Sequence, residues 1–367
     1  MGRLYLPFVD WMKFLGMFLI VMGHVAARPT NNLLPPIYPK QLGVAFFMFV
    51  MAYSLAREKR PRAQVLFNRL FELYLFGGLI AIIMSVVMCL TRGSLQLSNY
   101  EPFVLGVNVI FNNFPANPTM WYIGTYFHIL VLWALVLRGI HVRPWMLAVS
   151  LAAEIPLRAV LITTAGEYIA YMLVPNWITV FMVGLLFGQQ TAPSLTGTAE
   201  RHAVRLLLYG ALAVAFGVVW FTITTPYIVD RSFPFMLFSG ANALIAALAT
   251  SVCVSIVYLF WTLVVFQMTR YAQTWGWVRF FARNTLIIFI AHMPVFKAFD
   301  GLFNQWGFAY ATRAIVQLVI CYVGLAIVSE LVVRLIRPKE LRAWVGNTLL
   351  PGVLASVTAP SPAARPQ

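Results

Sequence analysis

Charge is scarce in this chain. Asp, Glu, Lys and Arg make up only 10% of its 367 residues, where a soluble globular domain carries about 25%. Acids are the scarcer sign, with 11 Asp and Glu against 26 Lys and Arg. So little charge cannot coat a water-facing fold of this apolarity, which excludes a soluble protein. Cysteine is sparse too. Cys89, Cys253 and Cys321 each lie in an apolar run, without CxxC spacing and without a nearby histidine, which excludes a disulfide framework and a thiolate metal site. No internal repeat is visible, and no polar stretch is long enough to stand as a separate soluble domain.

Apolar residues fill the gap. They form 61% of the chain, and mean hydropathy is +0.82. The apolar runs are about 20 residues long and do not alternate, so helices are expected rather than a barrel. The expected fold is all-α, a polytopic transmembrane helix bundle of about ten spans near 7–27, 41–56, 70–91, 118–137, 144–164, 168–189, 203–224, 237–266, 283–300 and 311–333. The second and ninth are short, and the eighth is long enough to tilt. The net charge of +15 does not point to nucleic acid. The basic residues sit in short loops, where lipid headgroups and the insertion rule account for them.

Those loops set an orientation. Arg57, Lys59, Arg60, Arg62 and Arg69, then Arg138 and Arg143, Arg201 and Arg205, Arg270, Arg279 and Arg283, and finally Arg334, Arg337, Lys339 and Arg342 all fall on the side of the N-terminus. The other side holds only Arg28, Lys40, Arg92, Arg231 and Arg313. Both termini are therefore expected in the cytoplasm. Residues 1–345 read as one transmembrane domain, and 346–367 as a disordered cytoplasmic tail rich in Pro, Ala and Ser. The first span resembles a secretory signal with Val25-Ala26-Ala27 before a cleavage point, but Asp10 and Lys13 interrupt its apolar core, and that reading is rejected. The external loop 92–117 is long and rich in Asn, Pro and aromatics. It reads either as a segment dipping back to line a cavity or as an ordinary surface loop.

The first span carries Asp10, Lys13 and His24. An ionisable group in hydrocarbon costs at least ~2.5–3.5 kcal/mol, so three on one helix need a reason. At ~100° per residue, Asp10 and Lys13 fall within roughly 60° of His24. Lys13 and His24 are separated by about 16 Å along the axis. One stripe thus offers an ion pair near one membrane surface and an imidazole near the other, which suggests chemistry or transport inside a bundle.

The pattern Asp-x-x-Lys-x10-His resembles the first span of the acyltransferase 3 family, more closely the branch related to fucose O-acetylases. Lys13 stands where the family has Arg, and His24 at its His. Phe46-Phe47-Met48-Phe49-Val50-Met51-Ala52-Tyr53 is similar to the aromatic second span, without the usual Ser-Gly. Met120-Trp121-Tyr122-Ile123 is similar to the Leu-Trp-Phe-Leu segment, and 284–292 to the late Ser/Asn…Tyr-Leu-x-His segment ending at His292. The Arg-x-x-Arg that often enters the third span survives as Arg69, with Leu66 at the partner position. Lys is a point charge where Arg is a planar fork, so an anionic group is expected to be held differently here. The resemblance implies transfer of an acyl group, usually acetyl from acetyl-CoA, to a hydroxyl of a sugar, a cell-surface glycan or a small metabolite. It also implies a multi-pass protein of the bacterial cytoplasmic membrane, with acyl-CoA as donor substrate and no permanently bound cofactor.

His24 leads the catalytic candidates, as general base or through a transient acyl-imidazole; the plain alternative is a buried, hydrogen-bonded histidine. Lys13, with Asp10 beside it at i,i+3, reads either as a holder of donor phosphate or thioester, or as a register-fixing ion pair. Arg57, Lys59, Arg60, Arg62 and Arg69 face the expected CoA side. Arg62 and Arg69 are offered as donor-binding, and topology signalling is the alternative for the first four. Trp121, Tyr122 and His292 are candidate acceptor-binding residues, with interfacial aromatics and a structural hydrogen bond as alternatives. Pro294 is expected to kink or break the helix beside His292, freeing backbone groups. His128 reads as packing. Glu154/Arg158 and Glu330/Arg334 read as structural i,i+4 pairs, although Glu154 and Arg158 lie deep enough to line a cavity. The rival function is a secondary transporter of a polar metabolite or lipid-linked sugar, although the matched broken helices expected of one are not visible.

Overall fold

The computed structural model describes residues 6–25, 39–93, 98–115, 117–190, 199–230, 234–235, 237–238 and 242–349. The chain runs through α1 (Pro7–Val25), α2 (Pro39–Ala56), α3 (Arg62–Arg92), a short α4 (Tyr100–Val104), α5 (Trp121–Leu135), α6 (Pro144–Thr164), a short α7 (Glu167–Met172), α8 (Ile178–Gln190) and α9 (Ala199–Thr224). It continues through α10 (Ala243–Thr269), α11 (Gly276–Gln305), α12 (Tyr310–Leu318), a π-helical stretch Val319–Gly324, α13 (Leu325–Ile336) and α14 (Pro338–Leu349). Ile228–Asp230 and Leu237–Phe238 form a small antiparallel ladder.

Each expected apolar segment carries helix, with shifts that have local causes. Among the described residues, seven helical stretches are long and apolar enough to cross a membrane, and Lys40–Ala56 and Ile178–Gln190 are shorter apolar helices. The segment expected as one span over 168–189 is divided: α7 ends before a 3-10 turn over Val174–Asn176, where Pro175 cannot extend a regular ladder, and α8 begins at Ile178. The expected span 237–266 begins later, at Ala243, because Asn242 caps α10 by accepting from the Ile245 amide at 2.9 Å. α3 starts at Arg62, not at residue 70, so Arg62 and Arg69 lie on the helix. α14 makes residues 346–349, expected in the tail, helical. The rest of the expected tail, 350–367, lies outside the described residues.

α2 is the central post, gripped on two sides by backbone-to-backbone contact. A Cβ on Gly43 would sit 2.3 Å from the Gly16 carbonyl oxygen of α1, and one on Gly184 of α8 would sit 2.5 Å from the Phe49 carbonyl oxygen. Small residues let membrane helices approach this closely and gain dispersion contact along their length. Aromatics fill the space beside them: Phe8, Tyr53 and Phe266 meet edge to face at 4.8 and 5.1 Å about the Phe8 ring.

One deep polar cluster is sealed. Arg158 on α6 pairs with Glu154. It also donates to the Ser251 carbonyl at 2.8 Å and the Ser255 hydroxyl at 2.9 Å, while Glu154 accepts from the Thr179 amide at 2.9 Å. Both side chains are essentially inaccessible. The pair ties α6, α8 and α10 together, as a structural reading expects, and lines neither of the two cavities described below.

Candidate active site

α1 presents Lys13 and His24 on one face, and each opens into a different cavity. Lys13 borders a chamber of about 310 Å³ toward the N-terminal end of α1, called the inner one, with Arg69 and Tyr126 also in its wall. His24 borders a larger chamber of about 580 Å³ toward the C-terminal end of α1, called the outer one, with Lys40, Trp121, His292 and Lys297. Aromatic side chains lie where the two adjoin. Phe289 borders both chambers. The Tyr122 ring lies 4.6 Å from Phe289, and Phe47 stands 6.4 Å from Tyr122. Trp121 and Tyr122 are neighbours in sequence, yet Trp121 faces the outer chamber and Tyr122 the inner one.

The inner chamber is cationic at its centre and paired at its edge. Arg69 donates to the Tyr126 hydroxyl at 3.3 Å. Glu72, which also borders the chamber, is bound by Arg342 of α14 at 2.8 Å, and Arg283 pairs with Glu330 at 2.9 Å. Asp10 lies one turn before Lys13, partly buried and outside the chamber wall. Arg62 is exposed at the first position of α3 and does not reach the chamber; its alignment with Arg69 two turns later does not carry it inward. Arg57 donates to the Tyr53 hydroxyl at 3.0 Å, and Arg60 pairs with Glu58 at 2.5 Å; neither borders the chamber, nor does Lys59. Of the five basic residues preceding or entering α3, Arg69 alone lines it.

In the outer chamber the His24 and His292 rings lie 5.0 Å apart. His292 is 1% exposed, and its Nδ1 is 2.7 Å from the Phe289 carbonyl oxygen and 3.2 Å from that of Ile288. A carbonyl only accepts, so Nδ1 carries the proton and Nε2 bears the lone pair. That Nε2 is buried and has no hydrogen-bond partner among the described residues. A buried polar atom left open in a cavity wall is an acceptor waiting for a ligand or a water.

Pro294 does not break α11, which continues to Gln305. Its missing amide leaves the Ile290 carbonyl without the usual i+4 donor, and the loop supplies the substitutes. Asn117 donates its side-chain amide to Ile290 O at 2.6 Å, and Thr119 donates its hydroxyl to the same oxygen at 2.9 Å. Asn117 then caps the turn that opens α5 by accepting from the Thr119 amide. One residue pair thus holds the His292 helix against the start of the Trp121 helix. Asn112 and Phe114 of the long loop border the outer chamber, and Asn112 holds a left-handed backbone with φ of 52°. The loop lines a cavity.

The sequence pattern picked out Lys13, Arg69, Tyr122, Trp121, His24 and His292, and the fold gathers them around one aromatic layer. It missed Lys40 and Lys297, and it missed Phe47 and Phe289 as the partition. His128 borders neither chamber. Among the described residues no three His, Cys, Asp or Glu side chains come together as metal ligands.

A family model described as an acyltransferase domain, of the acyltransferase 3 type, matches residues 6–334. The chain belongs to this acyltransferase family. Taken with its apolar helices, it is a multi-pass membrane acyltransferase in general terms. The matched span takes in both chambers and every residue that lines them. No curated protein and no solved structure matches the chain.

Proposed function

We propose that this acyltransferase moves an acyl group, most simply acetyl, from acyl-CoA to a hydroxyl of a sugar, a cell-surface glycan or a small metabolite. Within the family it is proposed to stand with the branch related to fucose O-acetylases. Its setting is the bacterial cytoplasmic membrane, with about ten spans and both termini in the cytoplasm. The loop bias toward Lys and Arg supports that orientation.

One observation carries the reading: Lys13 and His24 share a face of α1 yet line two different chambers that adjoin at Phe289. Acyl-CoA does not cross a bilayer, and most of its charge is phosphate. The inner chamber has the cations that phosphate needs, Lys13 and Arg69. The outer chamber has imidazole and aromatic faces suited to a sugar hydroxyl and ring. The thioester arm has to pass the aromatic layer for the two to meet.

His24 then accepts the proton of the acceptor hydroxyl as that oxygen attacks the thioester carbon. The C–S bond breaks, the sulfur leaves as thiolate, and the proton passes from His24 to it. An acyl-imidazole on His24 is the two-step version of the same exchange. His292, with its lone pair on Nε2, accepts a hydrogen bond from the acceptor or from protonated His24. Lys13 and Asp10 are assigned to donor positioning rather than to proton transfer, since neither borders the outer chamber.

The test uses membranes carrying wild type or His24→Ala at matched levels, with acetyl-CoA labelled in its acetyl group. Label is followed into glycan, lipid-linked and small-molecule fractions. Transfer by wild type and a loss of ~10²-fold or more in the variant is expected. Equal transfer by both would remove His24 from the chemistry. A carrier moving the same solutes would release no free CoA.

A further inference from the structure

Among the described residues, the inner chamber has one carboxylate in its wall, Glu72. It lies three residues after Arg69 on α3, so the two side chains share a face of the helix, and Asn68, one turn before Glu72, borders the same space. A carboxylate beside a phosphate site works against it, because it repels the anion and competes for the cations that would hold it. Glu72 is held from behind. Arg342 of α14 donates to its Oε1 at 2.8 Å and to the Asn68 carbonyl at 3.4 Å, while Arg342 itself stands outside the chamber wall.

A turn built for the purpose brings α14 to this position. Arg337 has a left-handed backbone with φ of 50°, and its amide closes α13 on the Val333 carbonyl. Pro338 then opens α14, its fixed φ suited to a first helical position and its missing amide no loss there. Pro338 and Gly346 are buried, and Leu341, Arg342 and Val345 partly buried. That three-and-four spacing is one helix face, so α14 lies on the protein with Arg342 in the covered side. α14 begins beyond residue 334, where the match to the acyltransferase family ends. The partner of Glu72 thus comes from outside the matched segment.

As a fastener the pair is weak. Arg342 is 26% exposed and Glu72 35%, and an ion pair so open to solvent contributes little to stability. Its larger effect is on the field inside the chamber, where a carboxylate bound to a guanidinium is neutralised and a loose one is not. The other edge charge is balanced in the same way: Arg283 lines the chamber and pairs with Glu330, which does not. We infer that Arg342 is a positioning residue for the anionic donor, keeping the Lys13–Arg69 chamber receptive to phosphate by holding Glu72. The inference rests on the acyl-CoA reading for the identity of the donor, but the charge effect applies to any phosphate anion that enters.

The test is calorimetry on the full-length protein in phosphatidylcholine nanodiscs, with CoA and inorganic pyrophosphate as separate titrants and no acceptor. Arg342→Gln is expected to weaken both anions about tenfold or more, and Arg342→Lys to bind them within about threefold of wild type. Glu72→Gln should bind as tightly as wild type or tighter. The double variant Glu72→Gln with Arg342→Gln should recover the affinity that Arg342→Gln alone loses, because the carboxylate it released is gone. A merely structural tie predicts the opposite: both single variants weakened alike, with no recovery in the double. That pattern, single variants that all bind like wild type, or a wild type that binds neither anion would overturn the inference. Pyrophosphate bound in the expected order with CoA not bound at all would instead sink the acyl-CoA reading and leave the role of Arg342 standing.

Discussion

Asn117 donates its side-chain amide to the carbonyl oxygen of Ile290 at 2.6 Å, the oxygen that Pro294 leaves without a helical donor. This contact joins the long loop to the helix that carries His292. Both groups are buried, so an unmet carbonyl there costs about 1–3 kcal/mol. Asn117→Leu is expected to lower stability by about 1–2 kcal/mol, because Thr119 still serves Ile290. Adding Thr119→Val should take the loss toward the top of that range. Pro294→Ala restores an amide to the same carbonyl and should recover part of it. Thermal unfolding of the four proteins in one detergent checks this; no recovery by Pro294→Ala would show that the carbonyl is not the cause.

The aromatic layer makes a prediction about water. Tyr122→Ala or Phe289→Ala should join the two chambers, since each removes a ring from the 4.6 Å pair that separates them. On the proposed acetyl-CoA chemistry, hydrolysis of the donor is expected to rise at least several-fold relative to acetyl transfer, because water then reaches the thioester ahead of the acceptor. Tyr122→Phe keeps the ring and should leave the ratio near that of wild type. Free CoA and labelled acceptor, measured together, give the ratio directly.

The α1–α2 contact leaves no room for a methyl group. Gly43→Ala places a Cβ well inside van der Waals contact with the Gly16 carbonyl oxygen. The two helices must part, at a cost of about 1–3 kcal/mol or more. Gly78→Ala, with nothing within 4 Å of the added atom, is the matched control and should be silent. The yield of monodisperse protein and its melting temperature discriminate the two.

Breaking the buried ion pair should be worse than removing it. Glu154→Gln leaves Arg158 charged in a site without solvent access, an expected loss of about 3–5 kcal/mol. Glu154→Met with Arg158→Met removes both charges and is expected to cost less than the single change. Acyl transfer by any folded double variant should stay near wild type, because neither residue borders a chamber. A double variant worse than Glu154→Gln would mean that the serine and Asn176 contacts of Arg158 matter more than its charge.

Much of this was legible from local pattern. Uninterrupted apolar length marked the helices, since a helix in lipid satisfies its own backbone and needs nothing else to be recognised. The 3.6-residue period put Lys13 and His24 on one face of α1, and the fold keeps them on one face. Scarce charge made each embedded ionisable group informative, which is why Arg69, His24 and His292 stood out. Pro294 announced a free carbonyl, but not which donor would reach it.

What only the tertiary structure decided is which residues meet. Phe47, Tyr122 and Phe289 lie far apart in the chain, and one apolar aromatic among 29 Phe and 15 Tyr carries no mark of being a partition. Lys40 counts in the sequence only among the charges of the external side and Lys297 carries no mark, until α2 and α11 place both in the same cavity. Arg62 read as a site residue until α3 held it out of reach on the surface. Helix periodicity is a property of neighbours within a few turns, so the sequence by itself determined the helices and the faces they offer. The pairing of those faces depends on which glycines allow close approach and which side chains fill what remains, and that is settled only when the helices pack.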